Sequence, residues 1–146
     1  VVECPGDDDL AVYLRAIRVF AMLAERSAAS VGLTLAQMRL LFTVHDLGSA
    51  SCSAVAARLH VSVSSVTRLI ARPAMWPLVS RSISQANASA VDLTLTAEGV
   101  ATVQRVTASR EGVLRAALAG TDPGTASATA VELERIIDRI DEEVRS

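Results

Sequence analysis

Ala54-Val55-Ala56-Ala57-Arg58-Leu59-His60-Val61-Ser62-Val63-Ser64-Ser65-Val66-Thr67-Arg68-Leu69-Ile70 carries two short helical patterns joined by a tight turn. In the first, over residues 53–59, Val55, Ala56 and Leu59 share one side of a helix. His60 follows at a point where left-handed backbone is expected, a conformation histidine tolerates better than branched residues do. Ser62 is the predicted N-cap of the second helix, in which Val66 and Ile70 lie four apart and face inward. Arg68 sits about 200° around the helix from Val66, so Arg68 and Arg72, themselves four apart, face outward. Pro73 removes a helical donor and disfavours helical geometry at Arg72, which predicts a stop near Ala71 or Arg72 after about nine residues.

The flanking sequence supplies the rest of the fold. Thr34 with Gln37 three residues on predicts a capping box for a helix over Leu35–Leu47, with Gly48 at its stop. Its inward face is expected to be Leu35, Met38, Phe42 and His45. Upstream, Asp7, Asp8 and Asp9 offer N-caps to a helix whose Leu10, Leu14, Ile17, Ala21 and Ala24 form an apolar seam. Downstream, residues 78–83 and Val91–Leu95 alternate with period two around the small polar loop Ser84-Gln85-Ala86-Asn87-Ala88-Ser89-Ala90, which predicts a hairpin. Thr96 caps a long helix through about Leu118 and Gly120 ends it. Asp122-Pro123 opens a last helix with Val131, Leu133, Ile136, Ile137 and Ile140 on its apolar side. The expected fold is mainly α with a small β-hairpin. Its predicted divisions are an N-terminal tail and helix over 1–32, a reading unit over 33–95 and C-terminal helices over 96–146.

Composition argues that one chain does not complete its own core. Of the 146 residues 51% are hydrophobic, but alanine supplies much of that, and the only aromatics are Tyr13, Phe20, Phe42 and Trp76. Neither terminal helix can bury its apolar side alone, so a homodimer is expected.

Charge is sorted along the chain. The net charge is −2, yet Leu47 through Val91 holds no carboxylate and carries Arg58, Arg68, Arg72 and Arg81. That pattern points to a polyanion, because a carboxylate on a face that meets DNA would be repelled at contact distance. Arg68 is the best candidate for base reading, since a forked donor matches guanine O6 and N7. Ser62, Ser64, Ser65 and Thr67 can offer hydroxyls and helix N-terminal N–H groups to phosphate, beside the capping role Ser62 also performs. Arg72 and Arg81 are placed for phosphate, and Arg58 either joins them or pairs with an acidic neighbour. All fourteen basic residues are arginine, which base composition explains as readily as a need for planar forks does.

Helix, helix, tight turn, short Ser-capped helix and hairpin form a winged helix-turn-helix, and with flanking helices at both ends the chain resembles the MarR (multiple antibiotic resistance regulator) family over about residues 10–140. The resemblance rests on Leu33-Thr34-Leu35-Ala36-Gln37, on the opening stretch above, and on Leu93-Thr94-Leu95-Thr96-Ala97-Glu98-Gly99. It implies a homodimeric transcriptional regulator, commonly a repressor, whose terminal helices interleave. It also implies that the fourth helix enters the major groove of double-stranded DNA at a pseudo-palindromic operator, and that a small aromatic or phenolic effector, or oxidation, relieves binding. Three positions depart from the family pattern. Asn87-Ala88-Ser89 stand where the family's wing tip carries Asp-Arg-Arg, so the wing lacks its groove-entering arginine. Pro77 replaces a glycine after the reading helix, and His60 replaces one at the left-handed turn. The alternative, motivated by the wing tip and by the two prolines Pro73 and Pro77, is a wing-degenerate dimeric module that senses ligands or binds proteins and holds DNA weakly.

Other chemistry finds little support. Cys4 and Cys52 are too few for a disulfide framework or a cysteine zinc site. Cys52, near a helix start, is read as a small packing residue in preference to a redox sensor with a lowered thiol pKa. His45 is read as packed, and with His60 too distant for a metal site, no metal or other cofactor is predicted. No nucleophile motif or Gly-rich phosphate loop occurs, so an enzyme is not expected. Without a basic start or a long apolar stretch, neither a secretory signal nor a membrane span is expected, and the expected location is cytoplasmic.

Overall fold

The computed structural model describes residues 6–84 and 91–145. In chain order these form α1 (Asp7–Ala29), α2 (Leu35–Leu47), β1 (Ser49–Ser51), α3 (Cys52–Leu59), α4 (Val63–Ile70), a 3-10 turn (Pro73–Met75), β2 (Val79–Ile83), β3 (Val91–Leu95), α5 (Ala97–Leu118) and α6 (Pro123–Arg145). The chain divides into a compact unit ending at Arg110 and a second beginning at Glu111. The core lies in the first.

That core is aliphatic. Met38, Leu40, Leu41 and Val44 of α2, Val55 and Leu59 of α3, Val66 and Ile70 of α4, Leu93 of β3 and Val103 and Val106 of α5 are all buried. The capping box predicted for α2 is present: Gln37 N–H donates to Thr34 Oγ1 at 3.2 Å and Thr34 N–H donates to Gln37 Oε1 at 2.9 Å. Gly48, at φ 73°, ends the helix as expected. The inward face of α2 is rotated from the predicted one. Met38 is buried, but Leu35 and Phe42 are only half-buried and His45 is exposed, its Nδ1 3.5 Å from Asp46 Oδ1. A helix surrounded by α1, α3, α4 and the sheet buries a broad arc, which centres on Leu41 and leaves the wider-spaced set at its margin.

Strand pairing adds an element that alternation did not reveal. β1 joins the hairpin to give a three-stranded antiparallel sheet in the order β1-β3-β2, with Ala50 opposite Leu93 and Arg81 opposite Leu93 from the other side. The alternation in β2 fades toward its tip, where Ile83 is exposed. At the start of α1 the capping position is Gly6, without a side-chain cap bond. Asp7, Asp8 and Asp9 lie instead in the first turn, facing the positive end of the helix dipole.

Two devices join α5 to the rest of the first unit. Thr96 Oγ1 accepts from Gly99 N–H at 3.0 Å and donates to the Pro77 carbonyl at 2.6 Å, fixing the helix start to the segment before β2. Arg110 donates through Nε to Ser27 Oγ at 2.8 Å, and its guanidinium lies 4.9 Å from the centroid of the Phe42 ring, which ties α5 to α1 and α2. Partial burial lowers the Arg110 pKa from its ordinary value.

Candidate nucleic-acid interface

The turn between α3 and α4 sets how the second helix is presented. His60 takes left-handed backbone, φ 55° and ψ 44°, as its position after Leu59 predicts. His60 N–H bonds to the Ala57 carbonyl at 3.2 Å and Val61 N–H to the Ala56 carbonyl at 3.0 Å, closing α3 and turning the chain at once. Ser62 then caps α4 by accepting from Ser65 N–H at 3.2 Å. Val66 and Ile70 anchor one side of α4 in the core. The other side is open.

On that open side Ser62, Ser64 and Arg68 are exposed and Ser65 is half-buried. Their side chains are linked: Ser62 Oγ is 2.9 Å from both Ser64 Oγ and Ser65 Oγ, and Arg68 donates to Ser65 Oγ at 3.3 Å. Thr67 is exposed, but its hydroxyl donates to the Val63 carbonyl at 3.0 Å. It therefore presents a methyl group and a lone pair outward, and no free proton.

Arg72 and Arg81 are exposed, and each is aimed by something other than α4. α4 ends at Ile70, and Arg72 has extended backbone, φ −72° and ψ 138°, as its place before Pro73 requires. Helical pitch does not carry it onto the face of Arg68. Arg81 lies mid-way along the edge strand β2, between exposed Ser80 and Ser82. Among the described residues no carboxylate forms an ion pair with Arg58, Arg68, Arg72 or Arg81, so of the two readings of Arg58 the acidic neighbour is not found. The wing-tip positions Asn87, Ala88 and Ser89 lie outside the described residues.

Sequence reasoning passed over Trp76. Its indole Nε1 donates to the Ala71 carbonyl at 3.1 Å, which closes the segment after α4, while the ring stays 66% exposed. With Ile70, Ala71, Val79 and Arg81 it lines an open depression of about 410 Å³. A lone tryptophan between Pro73 and Pro77 was the available signal. Cys52 is half-buried against the core. Among the described residues no three metal-ligating side chains converge, and no helix is long and apolar enough to cross a membrane.

Solved structures share this arrangement. RV1404 from Mycobacterium tuberculosis superposes with a TM-score of 0.81 at 21% identity, over 94% of this chain and 96% of that one. A mutant MepR from S. aureus, solved bound to an oligodeoxyribonucleotide, gives 0.67 at 12% identity over 89% and 96%. BpsR from Bordetella bronchiseptica, described as regulated in its DNA binding by 6-hydroxynicotinic acid, gives 0.65 at 23% identity over 88% and 91%. At these identities the likeness speaks for the fold. No curated protein matches the chain by sequence. Residues 33–88, which hold α2 through β2, match the MarR family model, so this stretch of the chain is similar to the MarR family.

Proposed function

We propose that the protein is a homodimeric repressor that binds a pseudo-palindromic site in double-stranded DNA, one α4 in the major groove of each half-site, and that a small aromatic or phenolic effector relieves binding. The observation that carries this reading is the outer face of α4, where Arg68 and a serine-capped helix N-terminus stand together with no carboxylate of the described residues paired to them. In this reading Arg68 reads a guanine edge, Ser62, Ser64 and Ser65 with the helix N-terminus hold phosphate, Thr67 contributes its methyl group, and Arg72 and Arg81 neutralise phosphate from the turn and the wing base. The units that this proposal assigns are a dimerisation helix before residue 33, the reading domain over 33–95 and dimerisation helices from 96 onward. The oligonucleotide complex of MepR and the ligand-regulated DNA binding of BpsR support DNA and a small effector as partners.

The test is selection from random duplex DNA with the purified protein. A two-fold-related motif is expected, with half-site centres about 34 Å apart or a multiple of that. Arg68→Ala is expected to lower discrimination at one base pair per half-site by about tenfold or more. Failure to enrich any two-fold motif overturns the proposal. A chain that keeps its cellular role after Arg68→Ala is instead a ligand-sensing or protein-interaction module built on the same fold.

A further inference from the structure

The polar side chains on the outer face of α4 form one chain, anchored at the Arg68 guanidinium. A guanidinium has donors only, so at that end Ser65 Oγ accepts from Arg68, at 3.3 Å. Ser65 Oγ is also 2.9 Å from Ser62 Oγ, and either hydroxyl can donate. Ser62 Oγ also accepts the Ser65 backbone N–H, at 3.2 Å, and lies 2.9 Å from Ser64 Oγ. Ser64 is exposed at the N-terminal end of the helix.

We propose that Ser65 is a positioning residue for Arg68, a role that rests on the DNA-reading function proposed above and deepens it. Tethered at one corner by a charge-assisted bond, the guanidinium keeps enough N–H groups for the paired acceptors of a guanine while losing much of its rotamer freedom before DNA arrives. An arginine left to search its rotamers would lose that freedom on binding instead, at a cost in affinity and in angular selectivity. The same chain continues through Ser62 to Ser64, whose exposed hydroxyl is suited to a phosphate oxygen. Base reading and backbone contact are thereby coupled through Ser65 and Ser62.

The experiment uses the duplex that the unaltered protein enriches from random DNA, together with every single base-pair variant of it. Arg68→Ala identifies the base pair that Arg68 reads. Ser65→Ala is expected to lower discrimination at that same base pair about three- to tenfold and to leave discrimination at the other positions unchanged, whereas loss of its phosphate contact alone lowers affinity for every duplex equally. Ser65→Thr, which keeps the hydroxyl, is expected to restore it. Alanine suits a helix at least as well as serine, so the melting temperature is expected to hold. Unchanged discrimination in Ser65→Ala, or a loss spread evenly over all base pairs, overturns the positioning role and leaves the proposed function standing. Failure of the unaltered protein to enrich any duplex overturns both.

Discussion

At the scale of single residues, the candidate interface depends on groups that lie outside its polar face. Gly99 is the clearest of them. A Cβ there would overlap the Leu78 carbonyl oxygen, and that carbonyl already accepts Thr96 N–H at 3.0 Å. The backbone before β2 therefore approaches α5 closely only because residue 99 has no side chain. Gly99→Ala is expected to destabilise the fold by about 1–3 kcal/mol, read as a lowered urea midpoint. Helix propensity alone predicts the opposite sign, a gain of up to about 1 kcal/mol. A midpoint that stays or rises would mean that the β2 segment yields to the added carbon without loss. His60 works in the same indirect way: its left-handed backbone turns the chain in one step, so that Ser62 caps α4 with Val66 and Ile70 already facing the core.

At the scale of elements, what was legible depended on whether the signal was local. The caps at Thr34, Ser62 and Thr96 were readable because a hydroxyl three residues before an N–H closes the same ring in any fold. The shortening of α4 was readable because Pro73 acts on its immediate neighbour. Strand β1 was not, since Ser49-Ala50-Ser51 has no strand pattern of its own and becomes a strand only by lying against β3. The true inward arc of α2 was hidden for a related reason, because partners distant in sequence decide which margin is covered. On the candidate site, Arg68 and its serines were legible from pitch and capping, whereas the commitment of the Thr67 proton to Val63 depended on a rotamer. The cap of α6 gives an element-scale prediction. Asp122 Oδ2 accepts from Thr125 N–H at 2.9 Å, and this bond, with that of the Thr125 hydroxyl, holds its carboxyl below the ordinary value of 3.8. A carboxyl lowered in the folded state stabilises above its unfolded pKa, and the contribution is lost as pH falls through the folded value. Helicity at 222 nm followed against temperature is expected to separate the native protein from Asp122→Ala at neutral pH, and the two are expected to converge in acid below the ordinary carboxylate range. A separation that persists undiminished in strong acid would assign the cap to something other than the carboxylate.

At the scale of the whole molecule, the unresolved demand is apolar surface, and each compact unit makes it separately. In the first, α1 exposes Leu10, Leu14 and Ile17, the last at 61%, while only Ser27 and Ala28 of that helix are buried. In the second, α6 exposes Leu133, Ile137 and Ile140 along one side, with Ile137 at 54%. Rows of large aliphatic side chains at helical spacing, on elements that otherwise carry charge, are costly to leave in water. A second copy of the chain covers them in the proposed dimer, and the function requires it, since two half-sites need two reading helices at a fixed separation. The protein is therefore expected to sediment at twice the 15.3 kDa of one chain. Ile17→Asp and Ile137→Asp each place an unpaired carboxylate in the covered rows, and each is expected to weaken dimerisation by about a hundredfold or more. In both variants DNA binding is expected to require a correspondingly higher protein concentration, while the base preferences of each half-site, set within one α4, stay the same. Native protein that sediments as a monomer across the micromolar range and still selects a two-fold motif would reject the dimer. Variants that bind DNA at native concentrations would show that these rows serve a different partner.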